Sequence, residues 1–172
     1  MKFRLILILS LGLVFSCNNK SSIERPNIDQ SVNYISQKIN DNELIGTNGV
    51  YRNIYFGVTN GKVRSTYDYY SERYNHHYRV TQYFFLKNIN FVNTNYFDGV
   101  YYIRLDLDKI NNHRFIESLN ELPVSDYGLN EEEFIDSAYL RVSGADKDGI
   151  SKAFENIVTI MKEESGENYF EN

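Results

Sequence analysis

Apolar residues come along this chain in one long run and then in short periodic patches. The run is Leu5 to Phe15, eleven residues with only Ser10 and Gly12 between the large side chains. It is well short of the ~20 residues a helix needs to cross a bilayer. Asn18, Asn19, Lys20, Ser21 and Ser22 then break the pattern. From Pro26 to Asp41 the spacing becomes helical: Ile28, Val32, Ile35 and Ile39 lie at i, i+4, i+7 and i+11. Pro26 suits a helix start, and Asn40, Asp41 and Asn42 end it.

From Val50 the period changes to two. Asn60-Gly61 is the strongest short hairpin signal, because a type I′ turn needs positive φ at both central residues. A two-residue turn there pairs Thr59 with Lys62 and dictates the rest. Val58 then faces Val63, Phe56 faces Ser65 and Ile54 faces Tyr67 on one side. The other side pairs Gly57 with Arg64, Tyr55 with Thr66, Asn53 with Asp68 and Tyr51 with Tyr70. The first set is mostly apolar, and a one-residue slip would mix the two. This register gathers Tyr51, Tyr55, Arg64 and Tyr70 on the second side as a candidate binding face. Tyrosine and arginine dominate binding hot spots, and arginine stacks on aromatic rings. The plainer explanation is that tyrosine favours strands and that Tyr51 and Tyr70 form a stabilising cross-strand pair.

Tyr78 to Lys87 reads as a third strand, with Val80, Phe84 and Leu86 on one side and Tyr83 and Phe85 on the other. Phe91 and Val92 begin a short fourth. Phe97-Asp98-Gly99 turns into Val100 to Leu107, where Tyr101, Ile103, Leu105 and Leu107 alternate with Arg104 and Asp106. Lys109 to Asn130 is ambiguous; Phe115, Ile116 and Leu119 fit a short helix ending before Pro123. Phe134 to Val142 reads as the last strand, through Phe134, Ala138, Leu140 and Val142. Asp146 or Asp148 can cap a closing helix, whose stripe is Ile150, Phe154, Ile157 and Met161 with Ala153 and Ile160 beside it. The order predicts an α+β domain: an N-terminal helix, five to six mostly antiparallel strands in a curled sheet or open barrel, and a C-terminal helix packed on it. This order resembles pleckstrin-homology-like barrels, and a cystatin-like wrapped sheet is the alternative.

Charge narrows the partners. The 172 residues carry 18 Lys and Arg against 23 Asp and Glu. From Ile116 onward there are 14 acidic and only 4 basic residues. Nucleic-acid binding needs clustered Lys and Arg, so that partner is not expected. Eleven of the 15 tyrosines lie between Tyr51 and Tyr102, which suits a sheet. Cys17 is the only cysteine, so the core has to hold by apolar burial without disulfides or a cysteine metal site.

The same cysteine gives the apolar run its meaning. Lys2 and Arg4, the run itself and the small Ser16 make the three-part layout of a secretory signal peptide. Val14-Phe15-Ser16-Cys17 resembles the lipobox of bacterial lipoproteins, whose usual form is L-[AS]-[GA]-C. Ser16 and Cys17 match it well, and Val14 and Phe15 more loosely. The resemblance covers Met1 to Cys17. It implies that the chain is cut before Cys17, that the thiol carries diacylglycerol, and that the new amine is acylated. Two or three chains hold a protein firmly, since each buried methylene contributes ~0.8 kcal/mol. The expected division is a signal peptide at 1–16, a lipidated tether at 17–25 and a single α+β domain at 26–172. The tether has no acidic run, which favours a periplasm-facing protein.

Motifs for chemistry are sparse. Neighbouring His76 and His77 point to opposite sides of an extended segment, no HExxH accompanies them, and His113 stands alone. Asp146, Asp148, Gly149 and Glu155 fall at positions three, five, six and twelve of an EF-hand-type loop, but Gly144 occupies position one. The plainer explanation is a strand-to-helix loop with acidic caps at the positive helix end. Asp106 and Asp108 share a strand face, as solvated edge residues do. No G-x-S-x-G, phosphate-binding loop or dinucleotide fingerprint is present.

These observations lead to a non-catalytic, lipid-anchored binding module of the bacterial envelope, with no cofactor or metal expected. Its partners would be the membrane, through Cys17, and an envelope protein, a glycan or a small ligand. An immunity-type protein that neutralises a toxin is the first alternative and an envelope hydrolase the second.

Overall fold

A computed structural model describes residues 25–108, 111–119 and 132–166. The first helix, α1, is Ile28–Ile39. Its start is set by a capping box: the Asn27 side chain accepts from the Gln30 backbone N–H, and the Gln30 side chain accepts from that of Asn27. Pro26 lies just ahead of that cap. Ile35 and Ile39 are buried, with Ile28 and Val32 packed at their edge, as the helical spacing requires.

Nine strands follow among the described residues: β1 Leu44–Ile45, β2 Val50–Thr59, β3 Lys62–Ser71, β4 His76–Phe85, β5 Ile89–Phe97, β6 Val100–Leu107, β7 His113–Ser118, β8 Glu132–Phe134 and β9 Ser137–Val142. They form two antiparallel sheets, ordered β1-β2-β3-β4-β7-β8 and β5-β6-β9. The closing helix, α2, is Lys147–Ser165. The architecture is α+β with a helix at either end, and neither sheet closes into a barrel. The chain changes sheets through a 3₁₀ turn at Leu86–Asn88. Gln82 stitches the sheets together: its amide donates to the Tyr139 carbonyl at 2.9 Å and accepts from the Tyr139 N–H at 3.0 Å. A buried side chain thus does what a neighbouring strand would do, so these backbone groups are satisfied.

Ile150, Phe154 and Ile157 of α2 are fully buried. Phe154 meets Phe56 of β2 edge to face, with centroids 5.6 Å apart. Val158 completes the buried stripe, while Met161 and Ala153 are partly buried. The two helices are tied to one another. Arg25 reaches both Glu163 oxygens at 2.9 Å, Asn156 donates to the Pro26 carbonyl and the Ser31 hydroxyl, and Lys38 pairs with Asp146 at 2.9 Å.

Asn60 and Gly61 have φ of 52° and 74°, the left-handed pair a type I′ turn demands. The register is as expected from Thr59↔Lys62 to Tyr55↔Thr66. It then shifts. Asn53 takes φ 50°, and a bulge between Arg52 and Tyr55 moves the pairing to Arg52↔Asp68 and Tyr51↔Tyr69. The extra residue returns Tyr51 to the inner face, where it is only 5% exposed. Its expected pairing with Tyr70 is therefore corrected.

Two further expectations are revised. Phe115 and Ile116 lie in strand β7, not a helix, because β4 presents a free edge that they fill: Val80 pairs with Ile116 and Thr81 with Phe115. The rest of that expected helix lies partly outside the described residues. The last expected strand divides in two. Phe134 ends β8 on the first sheet and is 76% exposed, stacked on His113 at 4.8 Å, while Ile135 takes the buried place. Only Ser137–Val142 joins the second sheet, with Ala138, Leu140 and Val142 in the core.

Candidate functional site

Alternation along β3 and β4 sends Tyr67, Tyr69, Tyr78 and Val80 to the same inner face. The bulge in β2 adds Tyr51 to them. The rings pack in a chain: Tyr51 to Tyr67 at 5.7 Å, Tyr51 to Tyr69 at 5.0 Å and Tyr69 to Tyr78 at 5.2 Å. The second sheet supplies the opposite wall. In β9 the core takes alternate residues, so Tyr139 and Arg141 point away from it, beside Tyr102 of β6. The β5–β6 turn brings Phe97 and Asp98 to the rim, and β7 adds Arg114 and Ile116. Between these walls lies a cleft of about 610 Å³. A smaller adjoining space of about 350 Å³ shares Arg114 and Arg141 and reaches Gln82, Tyr102 and Tyr139.

Arg141 is the centre of the cleft. Its guanidinium carbon lies 5.2 Å from the Tyr51 ring, 5.1 Å from Tyr67 and 5.2 Å from Tyr102. Such contacts stabilise a desolvated cation. Among the described residues no carboxylate pairs with it, and its buried Nη1 has no hydrogen-bond partner. Arg114 has a similar gap: Nη2 donates to Glu133, while the buried Nε is unpartnered. Among the described residues Asp98 is the one carboxylate lining the cleft. It is already engaged, accepting from the Asn48 backbone at 3.0 Å and the Asn48 side chain at 2.6 Å. Burial pushes the Tyr51 hydroxyl up to about 12 against the opposing pull of Arg141, and burial likewise raises Tyr78. These tyrosines are therefore neutral donors at physiological pH.

The residues expected to form one binding face are divided by the fold. Tyr55, 45% exposed, and Arg64 remain together on the outer face of the hairpin, with the guanidinium 5.9 Å from the ring. Tyr70 is on that face too, further along, against His77 at 5.7 Å. Tyr51 is on the other side of the sheet, in the cleft. Between these outer residues Asp68 is buried, paired with Arg79 at 2.7 Å and accepting from Asn53 at 2.7 Å. Cys17 lies outside the described residues.

Two carboxylates of the calcium-like loop are engaged within the chain: Asp146 pairs with Lys38 and accepts from the Ser143 hydroxyl, and Asp148 pairs with Lys147. Among the described residues no three His, Cys, Asp or Glu side chains gather as a metal site would need. Likewise, no described helix is long and apolar enough to cross a membrane. Another hollow, of about 620 Å³, runs between the helices beside Tyr34, Lys152 and Asn156. Its central polar group, Asn156, is already bonded to Pro26 and Ser31, so it reads as the seam joining the helices. No family model, curated protein or solved structure matches the chain.

Sequence reasoning assigned no role to Arg141, Arg114 or Tyr102. The available signal was the alternation in Ala138-Tyr139-Leu140-Arg141-Val142, which turns an arginine and a tyrosine away from the core. What they meet there depends on the second sheet, which no local pattern describes.

Proposed function

We propose that this protein is a lipid-anchored, non-catalytic binding module of the bacterial envelope, and that it takes a ligand in the cleft between its two sheets. The charged start, the short apolar run and Ser16-Cys17 support the anchor. The observation that carries the binding reading is Arg141: a half-buried arginine with a buried Nη1, paired with no carboxylate among the described residues and facing a tyrosine-lined cleft of about 610 Å³. That size falls within the range of small-molecule sites, and pockets of this kind combine aromatic walls with a few convergent polar groups.

Native mass spectrometry on protein extracted from envelopes tests the reading. A bound mass is expected on the unaltered chain and its loss on the double variant Tyr102→Ala, Arg141→Met. An unliganded chain, or a bound mass indifferent to that variant, overturns it. The anchor has its own test. Cys17→Ser is expected to move the protein from membranes to the soluble periplasmic fraction; unchanged retention with no lipid mass on the N-terminal peptide overturns it. The exposed pair Tyr55 and Arg64 supports a second reading, in which an envelope protein docks on the outer face of the hairpin.

A further inference from the structure

We propose that the cleft recognises a small organic monocarboxylate with a flat ring, its carboxylate seated on Arg141; the proposal rests on the cleft being the binding site. A guanidinium stays protonated in proteins and presents its donors in one plane. Buried cations are normally paired, because an uncompensated buried charge is strongly destabilising. Here the tyrosine faces lie near the cation at 5.1–5.2 Å. The ring faces offset part of the lost hydration and the Tyr51 hydroxyl accepts a hydrogen bond from the guanidinium, but neither carries a compensating negative charge. Among the described residues Nη1 has no acceptor. The missing partner is thus an anion with in-plane acceptors, and a carboxylate fits a guanidinium fork.

The surroundings narrow the class further. Arg114 lines the same cleft with an unpartnered Nε but keeps Nη2 on Glu133. It therefore adds one donor rather than a second open fork, which suits a monoanion better than a phosphate dianion. The neutral hydroxyls of Tyr51 and Tyr78 donate hydrogen bonds without repelling an anion. Asp98, on the rim, is occupied by Asn48 and leaves little to attract a cation. The aromatic walls match a planar body, since rings pair through offset or edge contacts.

The probes are 2-naphthoate and its neutral isostere 2-naphthamide, titrated into the full chain. The sequence has no tryptophan, so near-ultraviolet circular dichroism follows the tyrosines directly while naphthyl fluorescence follows the probe. The expected result is saturable binding of 2-naphthoate with a Kd at least roughly tenfold below that of the amide, the scale of one charge-assisted hydrogen bond. Arg141→Met is expected to abolish that preference, and Arg64→Met on the outer face to leave it intact. Should Arg141→Met lose its far-ultraviolet spectrum, the two probes on the unaltered chain decide alone. Equal affinity for the two probes overturns the carboxylate and leaves the cleft as a site for neutral ligands. A preference that survives Arg141→Met in a folded chain overturns it too, as does failure of 2-naphthoate to bind. The binding reading itself stands or falls separately, on the bound mass from envelopes.

Discussion

Asp68 shows how one residue's environment becomes a measurable property of the molecule. It is 5% exposed on the outer face of β3, and burial alone would raise its pKa. The hydrogen bonds from Arg79 and Asn53 and the Arg79 charge outweigh burial and hold the carboxyl below its usual value. A carboxyl depressed in the folded state contributes stability that is fully present above its unfolded pKa, about 3.9. That contribution is lost as pH falls from there through the folded value. Asp68→Asn is therefore expected to be less stable than the parent at pH 7 and to show a flatter fall in melting temperature below about pH 4. Parallel acid melting curves for the two chains would contradict this. At the same scale lies the main misreading of the sequence. Asn53 tolerates a left-handed backbone, as asparagine does more readily than most residues, but nothing local distinguishes an asparagine that uses that freedom from one that does not. One such residue moved Tyr51 from the outer face to the cleft.

At the scale of elements, legibility followed the range of the interaction that decides each one. The two helices, the Asn60-Gly61 and Asp98-Gly99 turns and the strand Val100–Leu107 are fixed by local spacing and turn chemistry, and all are where the pattern puts them. The segment His113–Ser118 and the division at Ile135 depend on a strand edge distant in sequence, and both escaped the pattern. The stripe of α2 gives a direct energetic check. Phe154 is fully buried against Phe56, so Phe154→Ala is expected to cost about 3–5 kcal/mol in chemical denaturation. A loss below about 1 kcal/mol, the level of an ordinary surface change, would mean that α2 does not close the core.

At the scale of the whole molecule, the two sheets place their aromatic and cationic residues where neither sheet alone would form a site. The first contributes Tyr51, Tyr67, Tyr69 and Tyr78; the second contributes Tyr102 and Arg141, and Gln82 holds the two together. The class of fold was legible from the order of elements, whereas the cleft was not, because it exists only where the sheets meet. The competing surface is the outer face with Tyr55 and Arg64, and a single spectrum separates the two. Arginine side-chain Nε–Hε resonances of the isotopically labelled full chain can be followed while a small-molecule extract of envelopes is added. The Arg141 resonance is expected to move most, with Arg114 following and Arg64 staying in place. Movement of Arg64 with Arg141 unchanged would contradict it and put binding on the outer face of the hairpin.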